Sequence, residues 1–251
     1  MSFFTFTFKN HRLQSIPSGA QVFDSYGQKC NHRFLLNYGF AIEDNTELDG
    51  YCPNEVSLKL SPALVNEVAR DRNKQPLSLS FQLMKAEFWC RDSAAAAVLS
   101  VGSLNISSGK SLGLDDLISS PSYTKRIRVN VSNNENTKAM MSMLRVIVAD
   151  EDELAVISCG GLYMHRTCKD VRFAICIRNE RAALLLLLHV VLKALSAYPT
   201  SLAEDKLALQ SMEALPPFSN IRHATIQVRG EKEVLFHYKN LAGWYLKFCL
   251  T

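Results

Sequence analysis

The sequence has no Cys-x-x-Cys pair, no block of basic residues and no apolar run of membrane-spanning length. Its seven cysteines stand at positions 30, 52, 90, 159, 168, 176 and 249. Their odd number and wide spacing argue against a disulfide framework or a zinc cluster, and leave free thiols in a reducing compartment. The 28 Lys and Arg residues are scattered among 24 acidic ones, a net charge of +4. This balance points away from a nucleic-acid tail and leaves room for an acidic partner. The most apolar stretch, "AALLLLLHVVLKALSAY" (182–198), contains His189 and Lys193. It is shorter than the roughly 20 residues that cross a bilayer, so it reads as a buried helix. "MSFFTFTFKNHR" has no basic segment ahead of its apolar part and no small-residue cleavage site, which argues against a signal peptide. Without such a signal the sequons at Asn105 and Asn130 carry no weight. The expectation is an intracellular protein with neither membrane nor nucleic acid as partner. Cytoplasm, nucleus and plastid are not distinguished, and the oligomeric state is unknown.

A hydrophobic fraction of 47% with 21% charge suits a globular chain. The first 60 residues read as β-rich. "FFTFTF" alternates apolar and polar residues, "AQVFDSY" reads as a second strand after the Pro17–Gly19 turn, and "EVSLKL" (55–60) alternates again. Beyond them the chain turns helical. Ser61 and Pro62 open one helix, and residues 80–100 carry an apolar helical pattern. "KRIRVNV" is a short strand. Met140, Met143, Leu144 and Ile147 mark a further helix, and others are expected over 179–198 and 201–214. A last helix begins near Ser219 or Asn220. Its expected apolar stripe runs through Ile221, Ala224, Val228, Leu235 and Tyr238 to Trp244, Tyr245 and Phe248, with Gly230 a candidate kink. "ADEDEL" has the look of a metal site but reads better as an acidic helix N-terminus. "GGLYMHRTC" lacks the strand–helix setting of a phosphate loop. His32 and His189 read as exposed, capping or packing residues.

The most informative stretch is "SYGQKCNHRFLLNYGF" (25–40). Two Tyr-Gly pairs, at Tyr26 and Tyr38, flank a short helix candidate. Asn31 is its expected N-cap, Phe34, Leu35 and Tyr38 its apolar face, and Gly39 its stop. On composition alone, Tyr26 is half-buried packing at a strand end and Tyr38 the core face of a helix.

"SGAQVFDSYGQKCNHRFLLNYGFAIEDN" (18–45) resembles the C-terminal half of the SET domain of protein-lysine methyltransferases, in the branch typified by the Rubisco large-subunit methyltransferase. Tyr26, Gly27, Lys29, Asn31, Leu35, Leu36, Tyr38, Gly39 and Phe40 stand in matching places, with Cys30 where serine is more usual. "CIRNERAALLLLL", "RVIVADEDEL", "AYPTSLAEDKLAL" and "RHATIQVRGEKEVL" resemble the helical substrate-binding domain that follows SET in that branch. The resemblance implies an α+β chain in two parts: a SET remnant over 1–60 and a helical substrate-binding domain over 61–251. It also implies methyl transfer from S-adenosylmethionine to a lysine of a protein substrate, with no metal. Such a displacement needs a neutral amine held in line with the methyl group, so positioning and electrostatics dominate. By that resemblance Tyr26 is catalytic and touches the cofactor, Tyr38 lines the lysine channel, Phe40 is a wall residue, and Asn31 and Gly27 shape the backbone.

The branch also carries a Gly-x-Gly cofactor loop and an Asn-His motif ahead of this stretch. "KNHR" (9–12) contains Asn-His, but it directly precedes "LQSIPSGAQVF" rather than lying a strand upstream. The resemblance therefore implies a SET protein shortened at its front, with activity of the shortened chain in doubt. The alternative from another class is a non-catalytic helical module that binds a protein partner.

Overall fold

The computed structural model describes residues 18–21, 26–61, 64–66, 124–132, 134–158, 173–212 and 219–249. The expected strands over "FFTFTF" and "AQVFDSY" and the helix over 80–100 lie outside them, apart from a few residues of the second. The elements in chain order are helix α1 (Asn31–Tyr38), strands β1 (Glu55–Leu60) and β2 (Lys125–Asn130), then helices α2 (Asn134–Val148), α3 (Glu151–Ser158), α4 (Ile177–Ser196), α5 (Leu202–Ser211) and α6 (Asn220–Phe248). The described residues are mostly helical, as expected.

β1 and β2 pair antiparallel, with Val56 opposite Val129 and Leu58 opposite Ile127. The alternation in "EVSLKL" and "KRIRVN" explains the pairing. Val56, Leu58 and Leu60 on one strand and Ile127 and Val129 on the other point inward and are buried. The outward positions carry Ser57, Lys59, Arg126 and Arg128. The sheet thus joins a strand from the first 60 residues to one more than 60 residues further on.

The apolar face of the sheet covers a core built by α2, α4 and α6. Met140, Leu144 and Ile147 of α2 meet Leu184, Leu187 and Val191 of α4 and Leu235 and Tyr238 of α6. The leucine-rich run is therefore a buried helix, and among the described residues no helix is long and apolar enough to cross a membrane. Arg145 of α2 reaches Glu180 of α4 through a two-pronged bond, Nε to Oε2 at 2.7 Å and Nη2 to Oε1 at 2.9 Å. Such forks are the stronger kind of ion pair.

Helix starts follow the local chemistry. Ser201 and Glu204 form a capping box on α5. Asp150 and Glu153 reciprocate at the start of α3, so "ADEDEL" is an acidic helix N-terminus, as expected. Two expectations are corrected. Cys30, not Asn31, is the N-cap of α1, because the buried Asn31 amide pairs with both backbone polar groups of Ile42 instead. The buried face of α6 runs through His223, Ile226, Gln227, Gly230, Val234, Leu235, Tyr238 and Ala242, while Ile221, Trp244, Tyr245 and Phe248 are exposed. Polar residues with partners inside rotate the helix off its expected stripe. Gly230 sits in unbroken helix.

Glu153 gathers three donors besides the α3 backbone: Arg178, Cys176 Sγ at 2.8 Å and Asn179 Nδ2 at 2.9 Å. Burial pushes its carboxyl up, but the bonds from Arg178, Cys176 and Asn179 outweigh it and hold the group down at about 2. A depressed carboxylate stabilises fully above its ordinary value of 4.5 and loses that contribution as pH falls through about 2. Because Arg178 is half exposed, the contribution is on the order of 2 kcal/mol after solvent screening. Acid titration of stability should show wild type losing this increment between about pH 5 and pH 2, and Glu153→Gln lacking that slope. Parallel curves would refute the assignment.

Candidate functional site

Gly27 and Gly39 explain the two Tyr-Gly pairs. Both have positive φ, 71° and 79°. A left-handed turn after each tyrosine is open to glycine at little cost. The Gly39 N–H closes α1 on Leu35 O at 3.1 Å. The chain then folds back, so that Phe40 returns over the helix it has just left.

The result is a cluster of four rings. Tyr26 lies 4.6 Å from Tyr38 and 5.6 Å from Phe40, centroid to centroid. Phe34 stacks on Phe40 at 5.1 Å and meets Tyr26 edge-on at 6.5 Å. These spacings fall in the range where aromatic pairs attract. Phe34 is buried, whereas Tyr26 and Tyr38 are 54% and 44% exposed. The three candidate residues Tyr26, Tyr38 and Phe40 are thus brought together, with Phe34 beneath them. Helical spacing had placed Phe34 and Tyr38 on one face; nothing in the sequence pattern alone joined Tyr26 and Phe40 to them.

The cluster is seated by asparagines. Asn31 Nδ2 donates to Ile42 O and Asn31 Oδ1 accepts from Ile42 N, both at 2.8 Å. Asn54 Oδ1 accepts from Asn31 N at 3.1 Å and from Asn45 Nδ2 at 2.9 Å. Asn45 Nδ2 also reaches Lys29 O at 2.9 Å, and Lys29 folds back onto Tyr26 O. Cys30, where serine had been the expectation of the resemblance, is buried. Burial pushes its thiol up, and Sγ lies 3.7 Å from Glu55 Oε1.

Helix α6 clamps the segment that follows the cluster. His223 Nδ1 accepts from Ala41 N at 3.1 Å, one residue past Phe40. Glu43 pairs with Arg222 and Arg229. Position in sequence gave no signal for these contacts, because the partners lie some 180 residues apart. His32 is exposed on α1, and His189 is partly buried on α4. Among the described residues no group of His, Cys, Asp and Glu is arranged to hold a metal, and the four described cysteines are free thiols.

The model of the Rubisco LSMT substrate-binding family matches residues 104–235, more than half of the chain. The chain belongs to the Rubisco LSMT substrate-binding family. The family match runs from ahead of β2 to the middle of α6, so the clamp residues His223, Arg222 and Arg229 belong to it and the four rings lie outside it. Comparison with curated proteins finds no match. Family membership carries a protein substrate as the natural occupant of the helical part.

A groove of about 590 Å³ lies on the opposite side of α1 from the rings. Its walls include Arg33 and Leu36 of α1 and Arg126 and Arg128 of β2. The strand alternation that places Arg126 and Arg128 outward was legible, but its junction with α1 was not.

Proposed function

We propose that this chain is a protein-lysine methyltransferase-type protein in which the family's helical part holds a protein substrate and the four-ring cluster walls the channel for its target lysine. The observation that supports the reading is the meeting of Tyr26, Tyr38 and Phe40, two of them half exposed, on a segment clamped to the family domain. Electron-rich ring faces suit a cationic ammonium or sulfonium, and exposed phenols can accept from or donate to an amine. Those properties fit one wall of a site for S-adenosylmethionine, with Tyr26 the residue of this chain that would meet it. When bound, S-adenosylmethionine supplies the methyl group. Tyr26 orients the amine, Tyr38 and Phe40 hold the alkyl stem of the lysine, and Phe34 fixes all three rings from below.

A second reading, a non-catalytic module that binds a protein partner, has its own support. Asn31 of α1 has both ends of its amide closed on Ile42. The family match also covers the substrate-binding part rather than the rings. Calorimetric titration of S-adenosylmethionine into the full chain separates the two. Under the first reading it binds, and Tyr26→Phe lowers methyl transfer to a lysine-bearing substrate by about 10–100-fold while substrate binding persists. Substrate binding without any cofactor heat would reject the first reading and keep the second. Loss of both would reject both.

A further inference from the structure

The groove behind α1 is lined by three arginines, two from β2 and one from α1. Arg126 and Arg128 stand two residues apart on the outer face of β2, about 7 Å along the strand. Arg33 faces them from α1, and the exposed Leu36 adds an apolar surface beside it. Arg128 has a counter-charge in Glu55 at 3.5 Å. Among the described residues, Arg33 and Arg126 make no ion pair. Lys59 lies directly opposite Arg126 across the sheet, and both are exposed. Like charges in that register destabilise a strand pair unless something neutralises them.

We infer that this groove binds an acidic, extended segment of the protein substrate, with carboxylates on Arg33 and Arg126 and an apolar side chain on Leu36. The inference rests on the reading of the chain as a binder of a protein substrate. An extended peptide laid along β2 turns alternate side chains to the groove, so a Glu-x-Glu pattern presents two carboxylates to the arginines that line it. The geometry favours peptide over nucleic acid. Glu55 is taken up by Arg128 and Glu231 also lines the groove, which suits a peptide with spaced carboxylates better than a phosphate backbone charged at every residue. Among the described residues that line it there is no Phe, Tyr or Trp on which a base could stack, and His32 is its one imidazole. The groove and the four rings lie on opposite faces of a single helix about 10 Å across, so one bound segment can reach both.

The test uses the full chain and a fluorescein-labelled peptide with a central lysine flanked by Glu-x-Glu and leucine, alongside an analogue with glutamine for each glutamate. Anisotropy at low salt should show the acidic peptide binding at least about tenfold more tightly, with the difference shrinking as salt rises. Arg33→Glu and Arg126→Glu, each checked for native circular dichroism, should each remove that difference. Lys138→Glu on the exposed face of α2 should leave it unchanged. Equal affinity for the two peptides, or retention of the difference in both arginine variants, overturns the inference and leaves the protein-binding reading standing. Binding of neither peptide overturns both. Tighter binding of a labelled single-stranded oligonucleotide than of the acidic peptide overturns the inference in favour of nucleic acid.

Discussion

Lys232→Met is expected to lower the stability of the chain by about 3–5 kcal/mol, a large part of the total for a domain of this size. Lys232 is 1% exposed on the inner face of α6. Its ammonium pairs with the buried Asp205 of α5 and donates to Thr200 Oγ1 at 2.8 Å. Thr200 Oγ1 donates in turn to the other oxygen of Asp205 at 2.6 Å. The Tyr198 ring closes the arrangement, with the ammonium 5.2 Å from its centroid. Two acceptors and a ring face thus surround the cation, and the carboxylate has both oxygens engaged. Methionine keeps most of the volume but strands a buried carboxylate with one hydroxyl. The cost is that of the orphaned charge, and it exceeds whatever the intact pair contributes over an apolar one. Lys232→Met with Asp205→Leu should therefore recover most of the loss, measured by urea unfolding at neutral pH. A single variant within about 1 kcal/mol of wild type, or a double variant no better than the single, would show that the pair is not closed to water.

Tyr238→Ala is the second large effect, about 3–5 kcal/mol, with Tyr238→Phe costing about 1–2 kcal/mol. The Tyr238 ring is 1% exposed at the centre of the core. Its hydroxyl donates to Asn130 O at the end of β2 at 2.8 Å, and lies 2.7 Å from Thr137 Oγ1 on α2. Since the phenol proton goes to Asn130, Thr137 is the donor of the second bond. Burial pushes the phenol up, so it stays protonated as that role requires. One residue of α6 thereby ties the sheet to α2. The alanine variant removes the ring and both bonds, whereas phenylalanine keeps the packing and removes only the hydroxyl's bonds to Asn130 and Thr137. Thermal unfolding should rank wild type above phenylalanine above alanine, with the larger step between the last two. Equal losses would assign the whole effect to the hydroxyl, against the burial of the ring.

The elements that were legible in the sequence are those with a clean period. "EVSLKL" and "KRIRVN" alternate without interruption, and both are strands with their apolar residues inside. The Met140, Leu144 and Ile147 spacing marks a helix whose inner face those residues form. α6 was misread in phase for a physical reason. His223, Gln227 and Lys232 are polar and buried, each matched by a partner from another element or from its own helix turn, and a hydrophobic pattern cannot anticipate such matches. The ring cluster was half legible. Resemblance named Tyr26, Tyr38 and Phe40 together, and periodicity linked Phe34 to Tyr38. Resemblance had Asn31 shaping the backbone, but the partners of the seating asparagines were invisible, because an amide that bonds backbone at a distance has the same spelling as one that caps a helix. Asn31 was read as the second and is the first.

The clamp between residues 41–43 and α6 has a consequence for the order of folding. Ala41 and His223 are separated by 182 residues, and Glu43 and Arg229 by 186. At about 5–20 residues per second, the ribosome needs roughly 10–40 s to make the second half of this contact after the first has emerged. For that interval Tyr26, Tyr38 and Phe40 are outside the exit tunnel without the α6 clamp on the residues that follow them. Closing so long a loop is slow, and its entropy must be met before any of the contacts form. Nascent chains halted before residue 220 should therefore bind chaperone through this aromatic stretch, and release it once α6 is complete.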